Sequence, residues 1–291
     1  MNKVIYLKAE NKSVFLKYLE DGKICEYYKI NINSILFKIL KKINAVYIIL
    51  GDWKYKIKEY DCVILGENTY SPCISKYIKK KNPNCKTILY FWNIVSEYKI
   101  YQELFKDNNI DEFWTFDKND AEKYNMKYNP QFYTNNVKLN KKNNKYDVLF
   151  LGRPKSRKEA ILKLKNELIE KDLRVNFKII EKEKDYIPYD NYLEILAKTK
   201  CILDYNQDGQ IGLSLRPMEA LFLEKKLITN NEDIKNYNFY NPNNIFILGE
   251  DNIEKIKDFI EKPYEKIEQK IIDYYDFKEW IKRFGVKENE F

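Results

Sequence analysis

The chain has 291 residues, 52 Lys and Arg against 44 Asp and Glu, a net charge of +8, five cysteines and no histidine. That length exceeds one typical domain and suits two of moderate size, each able to bury its own core. Without histidine, and with Cys25, Cys62, Cys73, Cys85 and Cys201 scattered and free of C-x-x-C spacing, a zinc site has almost no ligands. Reduced thiols in a cytoplasm are the simplest account. The opening MNKVIYLKAENK lacks the long apolar stretch of a signal peptide, and no apolar run reaches membrane-spanning length. The positive charge admits a nucleic acid, an anionic membrane face or an anionic small substrate. Basic residues are interleaved with acidic ones and carry no nucleic-acid fingerprint.

In chain order, apolar runs of strand length alternate with longer amphipathic stretches. Strands are expected at Val4–Leu7, Ala45–Leu50, Cys62–Leu65, Thr87–Trp92 and Glu112–Phe116. Helices are expected near Lys12–Leu19, Ser34–Lys42, Pro72–Lys80, Glu97–Lys106 and Lys118–Tyr124. The polar run Lys138–Lys145, KLNKKNNK, has neither period and reads as a linker. Beyond it, strands are expected at Asp147–Leu151, Val175–Ile180, Cys201–Asp204, Leu227–Thr229 and Ile245–Leu248. Their helices fall near Arg157–Glu170, Asn191–Lys198, Pro217–Leu223 and Ile253–Glu261, the last opened by a capping box of Asp251 and Glu254. One long terminal helix is expected over Glu265–Phe284, with an aromatic stripe including Tyr274, Phe277, Trp280 and Phe284. Such alternation implies parallel sheets covered on both faces. The organisation is therefore a Rossmann-like domain over 1–137, a linker over 138–145, a second Rossmann-like domain over 146–264 and a terminal segment over 265–291. Ligands of such doubly wound sheets sit at the carboxyl ends of the strands.

The segment Gln207–Asn231, QDGQIGLSLRPMEALFLEKKLITNN, is the most informative. Pro217 is tolerated only in a helix's first turn, so a helix begins between Ser214 and Pro217. Leu215, Met218, Leu221 and Phe222 share one face, with Arg216 and Glu219 projecting elsewhere near the open end. Unpaired N–H groups, the helix dipole and the Arg216 guanidinium together make a seat for phosphate. Glu219, one turn in, is placed to accept from a sugar diol.

Gly212, Ser214, Leu215, Arg216, Glu219 and Ala220 resemble the signature G-x-S/T-L-R-x-x-E-A of GT-B glycosyltransferases, and within them the bacterial surface-polysaccharide and CgeB-like branch. The resemblance implies two Rossmann-like domains facing a cleft, and transfer of sugar from a nucleotide diphosphate sugar to a lipopolysaccharide or capsule acceptor. Ile211 stands where retaining members often carry a second Glu. The resemblance also implies a terminal helix that crosses back to the first domain.

Gly152, Arg153, Lys155 and Arg157 follow the first strand of the second domain, where related enzymes place basic groups that neutralise a diphosphate. Such charges stabilise a leaving group that gains negative charge as the glycosidic bond breaks. Pro188 and Tyr189 follow the second strand, where related folds grip the base, and Gln210 and Ser214 are candidates for phosphate or sugar hydroxyls. There is no D-x-D, so no metal cofactor is expected, and cationic side chains take its place.

On the acceptor side, Asp52 and Glu67 each follow a strand-end glycine, and either is a candidate general base. Asn93 ends another strand and, as an amide, is a candidate for binding the acceptor only. Expected partners are a nucleotide sugar and a glycan or lipid-linked glycan, with peripheral contact at the cytoplasmic membrane face and no nucleic acid. Two other readings stand beside this one: a nucleotide-sugar epimerase of the same architecture, and a basic protein that binds nucleic acid or another partner.

Overall fold

The structure, a computed structural model, describes residues 3–7, 15–19, 34–49, 52–67, 70–95, 103–140, 142–207 and 210–285. The chain divides into two units, the first of Met1–Asn11, Leu16–Pro130 and Phe277–Phe291, the second of Lys12–Phe15 and Gln131–Asp276. The division falls at Pro130, ahead of the polar run Lys138–Lys145. No described helix is long and apolar enough to cross a membrane.

In the first unit β1 (Val4–Leu7), β2 (Cys62–Gly66), β3 (Lys86–Phe91), β4 (Glu112–Thr115) and β5 (Lys127–Tyr128) form one sheet in sequential order. Every pairing is parallel. All residues of β1 and β2 are buried, as expected of strands covered on both faces. Helix Pro72–Lys81 packs Ile74 and Ile78 into the core with Val63, Leu65 and Phe91. At the other end of the sequence, Trp280 is fully buried against Tyr90, with ring centroids 4.9 Å apart, and against Tyr6 at 5.8 Å. Its indole donates to Pro130 O at 2.9 Å.

The second unit has the order β10-β9-β8-β6-β7, again all parallel, from β6 (Tyr146–Gly152), β7 (Val175–Ile179), β8 (Thr199–Asp204), β9 (Lys226–Thr229) and β10 (Ile245–Ile247). Chain order runs outward from β6 to β7 and then resumes on the other side with β8. The carboxyl ends of β6 and β8 therefore flank a topological switch point, where such sheets open a crevice for ligands. Val148, Phe150, Leu203, Ile228 and Phe246 meet Ile161, Leu164 and Ile256 of the covering helices in the core.

The structure departs from the expected elements in several places. The run expected as a strand at Ala45–Leu50 is a 3-10 turn over Val46–Ile49, closed by Ile48 N–H donating to Ala45 O at 3.0 Å. Val46 is buried while Ile48 is half exposed, so the run lacks the double burial of an inner parallel strand. Phe15–Leu19 is likewise a 3-10 turn, and the rest of the helix expected from Lys12 lies outside the described residues. Most of the helix expected at Glu97–Lys106 also lies outside them. The two-residue β5 is too short and polar to carry a periodic signal. Asn252, rather than Asp251, caps the helix that leads into Ile256–Glu261, accepting from Glu254 N–H at 3.0 Å. Asp251 instead accepts from Ile247 N–H at 2.6 Å.

The terminal helix is two helices, Gln269–Tyr275 and Phe277–Lys282, parted at an extended Asp276. That break is held by Asn135 N–H donating to the Asp276 carboxylate at 2.9 Å and by a bridge to Tyr133.

Candidate functional site

Helix Leu215–Phe222 starts as its sequence demands. Ser214 is the N-cap, its Oγ accepting from Arg216 N–H at 3.1 Å, and Pro217 sits in the first turn where no N–H is needed. The same Ser214 hydroxyl donates to Asp204 Oδ1 at 2.7 Å, tying the helix start to the end of β8. Asn230 and Asn231, after β9, hold the intervening loop: Asn230 pairs reciprocally with the Asn206 backbone, and Asn231 Nδ2 donates to Ile211 O at 3.1 Å.

A cavity of about 230 Å³ opens at this switch point. Gly152, Arg153, Lys155 and Arg157 line it from the β6 side; Asp204, Tyr205, Asn206 and Gln207 line it from β8; Gln210, Ser214 and Arg216 complete the wall. Gly212 is buried behind that wall, its carbonyl accepting from Gln210 Nε2 at 3.3 Å.

The basic groups divide into exposed charges and staples. Arg153 and Lys155 are exposed at the rim, with the Arg153 guanidinium 5.1 Å from the Tyr186 ring centroid. Lys155 has a φ of 46°, in the left-handed region a side chain rarely adopts. Arg157 turns to the backbone: it donates to Arg153 O at 2.9 Å, to Pro154 O at 3.3 Å and to Tyr205 O. It therefore clamps the two loops together and adds charge to the wall.

Arg216 Nη2 donates to Leu151 O at 3.0 Å, its guanidinium lies 4.5 Å from the Tyr192 ring centroid, and Nη1 pairs with Glu219. Burial works against the charged guanidinium, but the Glu219 carboxylate outweighs it and raises the Arg216 pKa.

The placement of Glu219 corrects the expectation of an open carboxylate for a diol. It is fully buried, and its oxygens accept from Tyr189 OH at 2.7 Å, Tyr192 OH at 2.8 Å and Arg216. Tyr189, expected to flank a base, is buried too. Its hydroxyl meets both Glu219 and Tyr133, and burial followed by the Glu219 charge pushes its pKa well up. Neither Tyr189 nor Pro188 lines the cavity; Pro188 is the exposed cap of helix Tyr189–Leu196.

Two buried lining residues were not singled out from the sequence. Asp204 ends an expected strand and Asn206 lies two residues beyond it, yet they are 5% and 4% exposed. Asp204 Oδ2 and Asn206 Nδ2 have no hydrogen-bond partner. Burial pushes the Asp204 carboxyl up to about 6, against the pull of the Ser214 hydrogen bond and of Arg216 and Arg157.

In the first unit, Glu67 and Asn93 are brought together at the ends of β2 and β3. Glu67 is 6% exposed and accepts from Asn93 Nδ2 at 2.6 Å and from Trp92 N–H at 3.0 Å. Asp52 opens a 3-10 turn, Asp52–Tyr55, and its side chain lies outside the described residues.

No family model matches the chain, and no curated protein matches it in sequence. Among solved structures it is similar to a sucrose-phosphate synthase from Thermosynechococcus elongatus, at 9% identity and a TM-score of 0.57, with 98% of each chain covered. It is similar to a glycosyltransferase from Rickettsia africae at 12% identity and a TM-score of 0.50, covering 99% of each. An alpha-glucosyltransferase in complex with UDP and a 13-mer DNA aligns at 12% identity and a TM-score of 0.50, over 100% of this chain and 97% of the other. The fold is GT-B.

Proposed function

We propose that this chain is a glycosyltransferase whose donor, a nucleotide diphosphate sugar, binds in the cavity between the carboxyl ends of β6 and β8. The observation that carries the reading is the convergence there of Arg153, Lys155, Arg157 and Arg216 with the capped start of helix Leu215–Phe222. A diphosphate seated among these groups meets fixed cations as its negative charge grows, which lowers the barrier to loss of the sugar. Arg216 is best prepared for this, because Glu219, Tyr192 and Leu151 O already hold its guanidinium in place. Exposed Arg153 and Lys155 supply charge at the rim.

To the first unit we assign the acceptor, with Asn93 as a binding group and Glu67 as the base that takes its hydroxyl proton. Glu67 is preferred over Asp52 because its carboxylate is oriented by two hydrogen bonds. The acceptor class we infer is a surface glycan, lipopolysaccharide or capsule, met at the cytoplasmic membrane face. The sequence signature supports that finer reading.

Four cationic side chains facing one cavity also support metal-independent binding. Titration calorimetry with uridine, guanosine and adenosine diphosphates tests the proposal; one structural relative holds UDP, so uridine diphosphate comes first. At least one should bind, with the same affinity in magnesium as in chelator. Binding that disappears with chelator removes the metal-free part of the proposal, and no binding by any nucleotide removes the whole.

A further inference from the structure

Electrostatics divide the walls of the cavity. Arg153 and Lys155 stand at the β6 rim, whereas the β8 wall carries a carboxyl, Asp204, and a primary amide, Asn206. Phosphate oxygens only accept hydrogen bonds, and a carboxylate repels them. The Asp204 wall therefore suits a different part of the ligand.

What each group lacks defines that part. Asp204 Oδ1 is satisfied by Ser214 Oγ at 2.7 Å, but the buried Oδ2 accepts nothing. The Asn206 backbone is fixed by Asn230, its N–H donating to Oδ1 at 2.6 Å and its carbonyl accepting from Nδ2 at 3.2 Å, while its own Nδ2 donates to nothing. Orphaned buried polar atoms cost free energy and are rare in folded proteins. An orphan acceptor and an orphan donor, buried on two residues that line one cavity, match a hydroxyl, which donates with its hydrogen and accepts with its oxygen.

We propose that Asp204 Oδ2 and Asn206 Nδ2 form a hydroxyl-reading subsite that fixes the sugar-bearing part of the ligand against β8, with its phosphates toward Arg153, Lys155 and the Arg216 guanidinium held at the β6 end. This inference rests on the nucleotide-sugar reading of the cavity and adds its polarity. The chemistry is shared by two sources, the transferred sugar and the ribose.

The test compares wild type with Asp204→Asn and Asn206→Ala in titrations with uridine, guanosine and adenosine diphosphates and their glucose conjugates. Losing one hydrogen bond to a charged group should weaken binding by about tenfold or more. A loss confined to the glucose conjugate places the transferred sugar at the subsite, and an equal loss for diphosphate and conjugate places the ribose there. Unchanged affinity for both, in variants whose melting shows a native fold, overturns the subsite. Asn206→Ala keeps the test open should Asp204→Asn disturb Ser214. If wild type binds no nucleotide, the donor reading itself has failed and the subsite goes with it; if wild type binds and the variants match it, only the subsite has failed.

Discussion

Asn93 donates its side-chain amide to Glu67 Oε1 at 2.6 Å, joining the residues that follow β3 and β2. Trp92 N–H donates to Oε2 from the same strand end at 3.0 Å, so the carboxylate is held in one orientation. A carboxylate fixed in orientation at the carboxyl end of a strand is suited to act as a general base.

Glu67→Gln keeps the shape and removes the basicity. Turnover should fall by about 10²–10⁴-fold while donor affinity, measured by calorimetry, stays at its native value. A variant that transfers sugar at the native rate would assign the proton to another acceptor, such as the leaving phosphate.

Glu219 is expected to act on stability as well as on binding. Replacing it with Gln leaves the Arg216 guanidinium without its counter-charge and presents an amide to two tyrosine hydroxyls. Breaking a buried ion pair on one side costs about 3–5 kcal/mol. Denaturant unfolding should register that loss, and a native midpoint would show that Arg216 finds compensation elsewhere.

Asp204 should make ligand binding depend on pH. Its carboxyl, raised to about 6 by burial, faces Ser214 and Arg216 at the helix start, Arg157 from the β6 loop, and Glu219 behind them. A ligand hydroxyl donating to Oδ2 favours the ionised form, so affinity should rise as pH increases through about 6 and weaken below it. A nucleotide sugar is the proper probe, because its diphosphate has no proton to lose in that range. The sign for the unliganded fold is opposite. With the folded value above the unfolded one, the native state holds the extra proton between about pH 4 and 6, and stability declines as pH rises through that window. Asp204→Asn should flatten both profiles; profiles that persist would place the titration in another group.

Trp280 closes the first unit's core. Its ring is fully buried against Tyr6, Tyr90 and Phe284, and truncation leaves a large void. Trp280→Ala should destabilise the first unit by about 3–5 kcal/mol. Unfolding followed by fluorescence or exchange within residues 62–91 reads it out, and an unaltered midpoint would mean that the final helix is dispensable to that core.

The strands were legible because inner parallel strands are uninterrupted apolar runs, as CVILG of β2 shows. The loop after β6 was legible from its basic residues at a strand's carboxyl end. Glu219 was misplaced because its surroundings are assembled from Tyr189 and Tyr192, some 30 residues away, and helical period alone cannot announce two hydroxyls from another helix. Asp276 breaks the terminal helix without a glycine or proline; its partner Asn135 is 141 residues distant. Asp204 was hidden for a related reason: a carboxyl at a strand's end becomes a cavity wall only when Ser214 and the Asn230 and Asn231 anchors fold the loop over it.

The first unit is discontinuous, made from residues on both sides of the second. During synthesis, Tyr6 and Tyr90 are translated long before Trp280 and Phe284, which complete their packing, whereas the second unit is complete once Asp276 has emerged. Although nascent chains ordinarily fold from the amino end, this one should finish its second unit first, with the first β-sheet waiting, its aromatic face uncovered, for the last helix. A released chain truncated just after Asp276 should accordingly resist protease over 146–264 and remain open to it over 62–130.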